Sequence, residues 1–290
     1  MEKFAILGAG TMGAGIVQLA AQSGYQVTAC DTSVEALEAA QVYVREGLER
    51  LVEKGTFSEE QAYSHYDRIH WTTNPQDLAE AEAAIEAITE RVEPKKEALA
   101  TLDGILPTRS LLLTNTSSIS ITDLATATTR PENVCGMHFF IPPPVREAIE
   151  IPRGRLTSDQ TVDRVKALVH SLSKLPVIVD GDTPGFVANR FLMPMLLEAC
   201  RLLEQGVATK EDIDLLIKRG VGFPIAPFEL GDLIGLDVAL DVITYVHNMT
   251  GNPYYEPPRI LEELVSEGRL GRKSGQGFYN YGPSALSQRS

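Results

Sequence analysis

At 290 residues with 43% hydrophobic content, the chain is long enough for one large globular domain or two of moderate size. Its 26 basic against 39 acidic residues leave a net charge of -13, which argues against general nucleic-acid binding and obliges any anionic ligand to find a local basic patch. Three widely spaced cysteines, Cys30, Cys135 and Cys200, suggest neither a disulfide framework nor a metal-ligand cluster, and fit reduced thiols in the cytoplasm.

The N-terminus runs straight into a strand-like segment without a basic stretch and apolar core. No later segment reaches the roughly 20 apolar residues of a membrane span, so a soluble protein with no targeting signal and no membrane partner is expected. Through the first ~180 residues, short apolar runs alternate with helix-like segments, the pattern of a doubly wound, mostly parallel sheet. The strand candidates are Phe4 to Leu7, Val27 to Cys30, Ala83 to Ile85, Leu111 to Leu113 and Val134 to Met137. Between them Met12, Ile16, Leu19 and Ala20 recur with helical period, and Leu37 through Leu51 form a second such stretch.

After Val177-Ile178-Val179, the run Asp180 to Gly185 concentrates turn formers. The expected boundary lies there, giving a dinucleotide-binding domain over 1–182 and a smaller all-α substrate and dimerisation domain over 183–290. Phe186 to Gly206, Lys210 to Arg219, Leu233 to Met249 and Pro258 to Glu267 read as its helices, with Thr209 placed to cap the second. The last few residues are expected to fray.

Gly8-Ala9-Gly10-Thr11-Met12-Gly13 follows the first strand and opens an amphipathic helix. Gly8 permits the turn, Gly10 lets a pyrophosphate approach the backbone, Gly13 allows close helix-to-strand packing, and the helix N-terminal amides face the phosphates. Asp31 falls 18 residues after Gly13, at the end of the second strand, where a carboxylate accepts from the adenosine ribose. The same carboxylate repels a 2'-phosphate, and Thr32-Ser33-Val34 offers no arginine to neutralise one, so NAD is expected over NADP.

Asn115-Thr116-Ser117-Ser118 follows a strand and carries groups that hold a carbonyl or alcohol oxygen. His138 closes another strand, where an imidazole can take a hydroxyl proton while hydride leaves the same carbon. Glu150 lies 12 residues later, suited to fix the imidazole tautomer, and Asn189 offers a further donor. Taken singly, Ser117 and Asn189 also suit caps, His138 a core histidine and Glu150 a surface carboxylate.

These segments in this order resemble the 3-hydroxyacyl-CoA dehydrogenases, especially the short bacterial 3-hydroxybutyryl-CoA dehydrogenases of fatty acid metabolism. The likeness runs nearly end to end: Gly8 to Gly13, Glu86 to Arg91, Asn115 to Ser118, His138 to Phe140, Pro184 to Arg190, Glu229 to Asp232 with Gly235 to Asp237, and Gly271 to Tyr279. The resemblance implies that His138 is the general acid/base, Glu150 its orienting carboxylate, and Ser117 and Asn189 the groups on the reacting oxygen. It further implies that Gly8, Gly10, Thr11, Met12, Gly13 and Asp31 contact NAD, with Glu90, Lys95, Asn115 and Ser117 beside it. Arg50 and Lys54 occupy the segment placed near the CoA nucleotide, and their i, i+4 spacing sets both cations on one helix face, flanked by Glu49 and Glu53. A homodimer with its active site between the domains is the implied assembly.

The chain departs from the family where Ile141 replaces a common asparagine, where Arg146-Glu147-Ala148-Ile149-Glu150 stands for a segment resembling Met-Lys-Leu-Val-Glu, and at Gly222 to Pro227. Beside a short acyl-CoA substrate, these changes motivate a 3-hydroxyacyl group tethered to an acyl carrier protein in specialised biosynthesis. A free hydroxy acid clamped by Arg146 or Arg190 is a third substrate reading. A non-catalytic NAD-binding or interaction protein is the reading of another class, and the joint presence of Ser117, His138, Glu150 and Asn189 speaks against it.

Overall fold

The computed structural model describes residues 2–282, so the expectation of frayed last residues falls mostly outside the described residues. The chain divides into two compact units, Met1–Asp182 and Thr183–Ser290.

The first unit opens with β1 (Lys3–Leu7), α1 (Thr11–Gln22), β2 (Gln26–Cys30), α2 (Val34–Glu53), α3 (Glu59–Tyr66) and β3 (Ile69–Thr72). It continues through β4 (Ala83–Glu86), α4 (Val92–Ile105), β5 (Leu111–Thr114), α5 (Ile121–Ala125) and β6 (Val134–Gly136), and ends with β7 (Ala148–Arg153), α6 (Asp159–Ser171) and β8 (Leu175–Asp180). The main sheet has the order β3-β2-β1-β4-β5-β6, all neighbours parallel. This is the doubly wound arrangement, whose order reverses between β1 and β4. The buried runs of β4 and β5 are continuous because a parallel sheet is covered on both faces. α1, α2 and α6 share a core with the strands through Ile16, Val44, Leu48, Val165 and Val169.

Three strands, β3, β7 and β8, were not among the expected ones. β3 reads Ile-His-Trp-Thr and is buried only at Ile69, because it lies at the sheet edge and needs no apolar run. β7 carries Glu150 and pairs in parallel with β8, forming a second, two-stranded sheet.

The second unit is helical: α7 (Ala188–Glu204), α8 (Lys210–Leu215) running into a π-helical turn over Leu216–Val221, α9 (Pro227–Ile234), α10 (Leu236–Thr250) and α11 (Arg259–Ser266). Thr209 caps α8, its hydroxyl accepting from the Asp212 N–H at 3.1 Å. The stretch expected as one helix from Leu233 to Met249 is instead two, broken at Gly235, whose φ of +103° no helix accommodates. The core joins Leu196, Leu197, Phe228, Ile243, Leu261 and Phe278.

The C-terminal strap is fastened by Asp232, which is 1% exposed. Its carboxylate accepts from the N–H groups of Phe278 and Tyr279 and from the Tyr281 hydroxyl, each at 2.9 Å. Asp214 accepts from the N–H groups of Phe228 and Glu229, at 3.0 and 3.1 Å, and from the Tyr279 hydroxyl at 2.9 Å. All three cysteines are unpaired and buried, and burial pushes their thiols up, Cys30 to about 11 and Cys135 and Cys200 to about 12. Among the described residues, no helix is long and apolar enough to cross a membrane.

Candidate active site

The polar groups of the first unit gather at the carboxyl ends of the parallel strands, where doubly wound sheets bind ligands. The turn after β1 is shaped by its own packing. A Cβ on Gly13 would sit 1.9 Å from the Gly8 carbonyl oxygen, and one on Gly8 would sit 2.7 Å from the Ala87 carbonyl oxygen. Gly10 differs, since a Cβ there meets nothing within 4 Å, so the chain's own packing does not demand glycine at this N-cap of α1. Thr11 and Met12 form the first turn of α1, Thr11 exposed and Met12 packed against the core.

Asp31 leaves β2 and bridges two neighbouring segments. One oxygen accepts from the Ala9 N–H at 2.7 Å and the other from the Ser33 N–H at 2.9 Å. The carboxylate is thereby held beside the glycine turn.

At the end of β4 lies a buried ionic cluster. Lys95, on α4 and 1% exposed, donates to both oxygens of Glu86 at 2.8 and 3.0 Å and lies 3.4 Å from Glu90. Glu90 Oε1 in turn accepts from the Thr116 hydroxyl at 2.6 Å, the Ser117 N–H at 2.7 Å, the Ser118 N–H at 3.1 Å, and the hydroxyls of Ser117 and Ser118 at 3.1 and 3.2 Å. Burial alone would raise the Glu90 carboxyl, but Lys95 and these donors outweigh it and hold it below the usual carboxylate range. Burial likewise pulls Lys95 down, and the two carboxylates more than restore it, so the ammonium stays charged.

Asn115 ties the end of β5 to the end of β6. Its N–H donates to the Glu86 carbonyl at 2.9 Å, and its side-chain oxygen accepts from the Phe139 N–H at 3.0 Å. His138 and Glu150 form an isolated antiparallel bridge, with the His138 N–H donating to the Glu150 carbonyl at 2.8 Å. The bridge brings His138 Nδ1 within 2.7 Å of Glu150 Oε2, both residues buried, with the Phe140 ring centred 4.8 Å from the imidazole. With Glu150 ionised, Nδ1 carries the shared proton and Nε2 keeps its lone pair.

The remaining candidates belong to α2 and α7. Arg50, on α2, lies 3.6 Å from Glu46, and Lys54 is the exposed C-cap of the same helix. Asn189 belongs to the first turn of α7, in the second unit.

Glu86 was not singled out from the sequence as a site residue, although it ends the strand Ala-Ala-Ile-Glu as a charge on an otherwise apolar run. Thr114, whose hydroxyl donates to Glu86, was also missed.

The family model for the 3-hydroxyacyl-CoA dehydrogenase NAD binding domain matches residues 3–183, and that for the 3-hydroxyacyl-CoA dehydrogenase C-terminal domain matches residues 185–281. A probable 3-hydroxybutyryl-CoA dehydrogenase of Deinococcus radiodurans is 42% identical over 279 residues, covering 96% of this chain and 100% of the relative. A 3-hydroxyadipyl-CoA dehydrogenase of Escherichia coli is 42% identical over 97% of this chain, which spans 59% of that longer protein. The crystal structure of (S)-3-hydroxybutyryl-CoA dehydrogenase from Ralstonia eutropha superposes with a TM-score of 0.90 at 41% identity, covering 97% of this chain and 99% of the other. With a glycine turn, a carboxylate held beside it at the end of β2 and a paired histidine on one doubly wound sheet, the chain belongs to the 3-hydroxyacyl-CoA dehydrogenase family of NAD-dependent oxidoreductases.

Proposed function

We propose that the chain interconverts a short 3-hydroxyacyl-CoA and its 3-oxoacyl form, with 3-hydroxybutyryl-CoA as the substrate. The observation that carries the chemistry is the 2.7 Å pair of His138 and Glu150, both buried at the end of the sheet. NAD supplies a hydride acceptor at its nicotinamide. His138 Nε2 takes the proton of the 3-hydroxyl, and Glu150 holds the ring in the productive tautomer and stabilises the cation that forms. Ser117, through its hydroxyl, and Asn189, on the strength of its motif, hold the reacting oxygen.

Gly8, Gly10, Thr11, Met12 and Gly13 form the pyrophosphate turn in this reading, supported by the open space over Gly10. Asp31 binds the adenosine ribose and rejects a 2'-phosphate. Glu90, Lys95 and Asn115 shape the wall beside the nicotinamide, with Lys95 acting through Glu90 because its ammonium is enclosed. Arg50 and Lys54 meet the CoA phosphates. The first unit is the dinucleotide-binding domain, the helical unit serves substrate binding and homodimer formation, and the enzyme works in the cytoplasm, where its unpaired thiols stay reduced.

Acetoacetyl-CoA with NADH, and NADPH as control, tests the assignment by loss of reduced-cofactor absorbance. Turnover selective for NADH is expected, and His138→Ala should lower kcat by about 10^2–10^4-fold while leaving NADH binding intact. Unchanged turnover in that variant would sink the mechanism. Matched 3-hydroxyadipyl-CoA and carrier-protein-bound substrates complete the comparison, and preference for either would replace the acyl or carrier assignment.

A further inference from the structure

The ionic cluster beneath the Thr116–Ser118 turn holds two carboxylates and one ammonium. β4 carries it between β1 and β5, with Glu86 in register with Leu7 on one side and Thr114 on the other. Since Asp31 marks the adenosine side over β2, the nicotinamide half of the dinucleotide belongs over β4 and β5, beyond the reversal of strand order. Glu86 is 0% exposed, and its oxygens are taken by Lys95, the Thr114 hydroxyl and the Ile88 N–H, which lies at 3.3 Å.

We propose that Glu86 is a positioning residue, drawing Lys95 away from Glu90 so that Glu90 stays aimed at the serine turn, and leaving one uncompensated negative charge under the nicotinamide. This rests on the dehydrogenase reading and deepens it. Glu90 Oε1 has two lone pairs but receives five donors, so the Ser117 hydroxyl, one of the longer at 3.1 Å and on a residue that is not fully buried, turns towards a reacting oxygen at little cost. The shorter Thr116 hydroxyl and Ser117 N–H keep Glu90 satisfied meanwhile. Without Glu86, the ammonium closes on Glu90 and pulls it off the turn. The residual charge favours the cationic, oxidised nicotinamide over the neutral reduced one.

The test is Glu86→Gln in the full-length enzyme, with the Kd of NAD+ and of NADH measured separately, alongside kcat and KM for acetoacetyl-CoA. The affinity ratio is expected to move towards NADH by roughly tenfold. A fall in kcat at nearly constant KM should accompany it, and Glu86→Asp, which retains the charge, should restore the ratio but not all of kcat. A merely structural role would lower Tm and leave the ratio unmoved. Should Glu86→Gln not fold, Thr114→Val, which strips a donor from Glu86 and leaves its charge in place, should lower kcat at nearly constant KM, and an unmoved kcat there overturns the positioning. An unchanged ratio in the folded variant, or equal weakening of both cofactor forms, overturns the proposal. The ratio is read without acyl substrate, so a wild-type enzyme that binds both cofactors but ignores acetoacetyl-CoA defeats the substrate reading and not this one.

Discussion

In the first unit the buried carboxylate of Glu86 faces an ammonium, whereas in the second unit Asp214 and Asp232 are met by backbone N–H groups and tyrosine hydroxyls. The electrostatic outcomes follow burial as well as partner. Glu90, sharing the ammonium at the rim of the cluster, is held below the usual carboxylate range, while burial pushes the fully enclosed Glu86 above it against the pull of Lys95, and pushes Asp214 and Asp232 above it despite their hydrogen bonds. Neutral donors satisfy the geometry of a buried carboxylate but do not repay all of its lost hydration. The first arrangement suits a place where charge is used, and the second suits a fastening.

The most severe way to break this comparison is to remove the ammonium. Lys95→Met should destabilise the first unit by about 3–5 kcal/mol, because the buried carboxylate of Glu86 and the partly buried one of Glu90 lose the ammonium they share. Trp71, the chain's single tryptophan, lies in that unit, so its fluorescence during urea unfolding follows the loss. Asp232→Asn should cost less, about 1–3 kcal/mol, since it spoils hydrogen bonds without stranding a charge. Circular dichroism of the helical unit should report that change while Trp71 fluorescence stays as in the wild type.

The pH dependence sharpens the contrast because the two signs oppose. Glu90 has a folded pKa below its unfolded one, so its contribution is present above the ordinary carboxylate value of about 4 and is lost as pH falls through the folded value. The penalty of Glu90→Gln should therefore shrink on acidification. Asp232 has a folded pKa above its unfolded one, so its contribution is present below about 4 and is lost as pH rises through the folded value. The penalty of Asp232→Asn should shrink in the opposite direction, towards neutrality. Urea titrations of both variants across about pH 3–7 should give trends that cross, and parallel trends would deny the distinction.

Much of the sheet was legible because its inner strands are buried on both faces and read as unbroken apolar runs, as in Leu111 to Leu113. β3 escaped because an edge strand with His70 and Trp71 has no such run. The break at Gly235 escaped because apolar residues recur with helical spacing on both sides of it, and a backbone angle leaves no mark in periodicity. At the site, the glycine turn and Asp31 follow from spacing along one βαβ unit. The approach of His138 to Glu150 depends instead on a bridge across 12 residues, which spacing alone does not specify. Glu86 and Lys95 are nine residues apart on a strand and the following helix, so their meeting is a matter of tertiary packing.

The fastening at Asp232 has a consequence for how the protein is made. Its partners, Phe278, Tyr279 and Tyr281, lie 46, 47 and 49 residues further along the chain, so the helical unit cannot close while they are still inside the ribosome. A nascent chain halted before Phe278 would present a buried-site carboxylate with no amide to receive it.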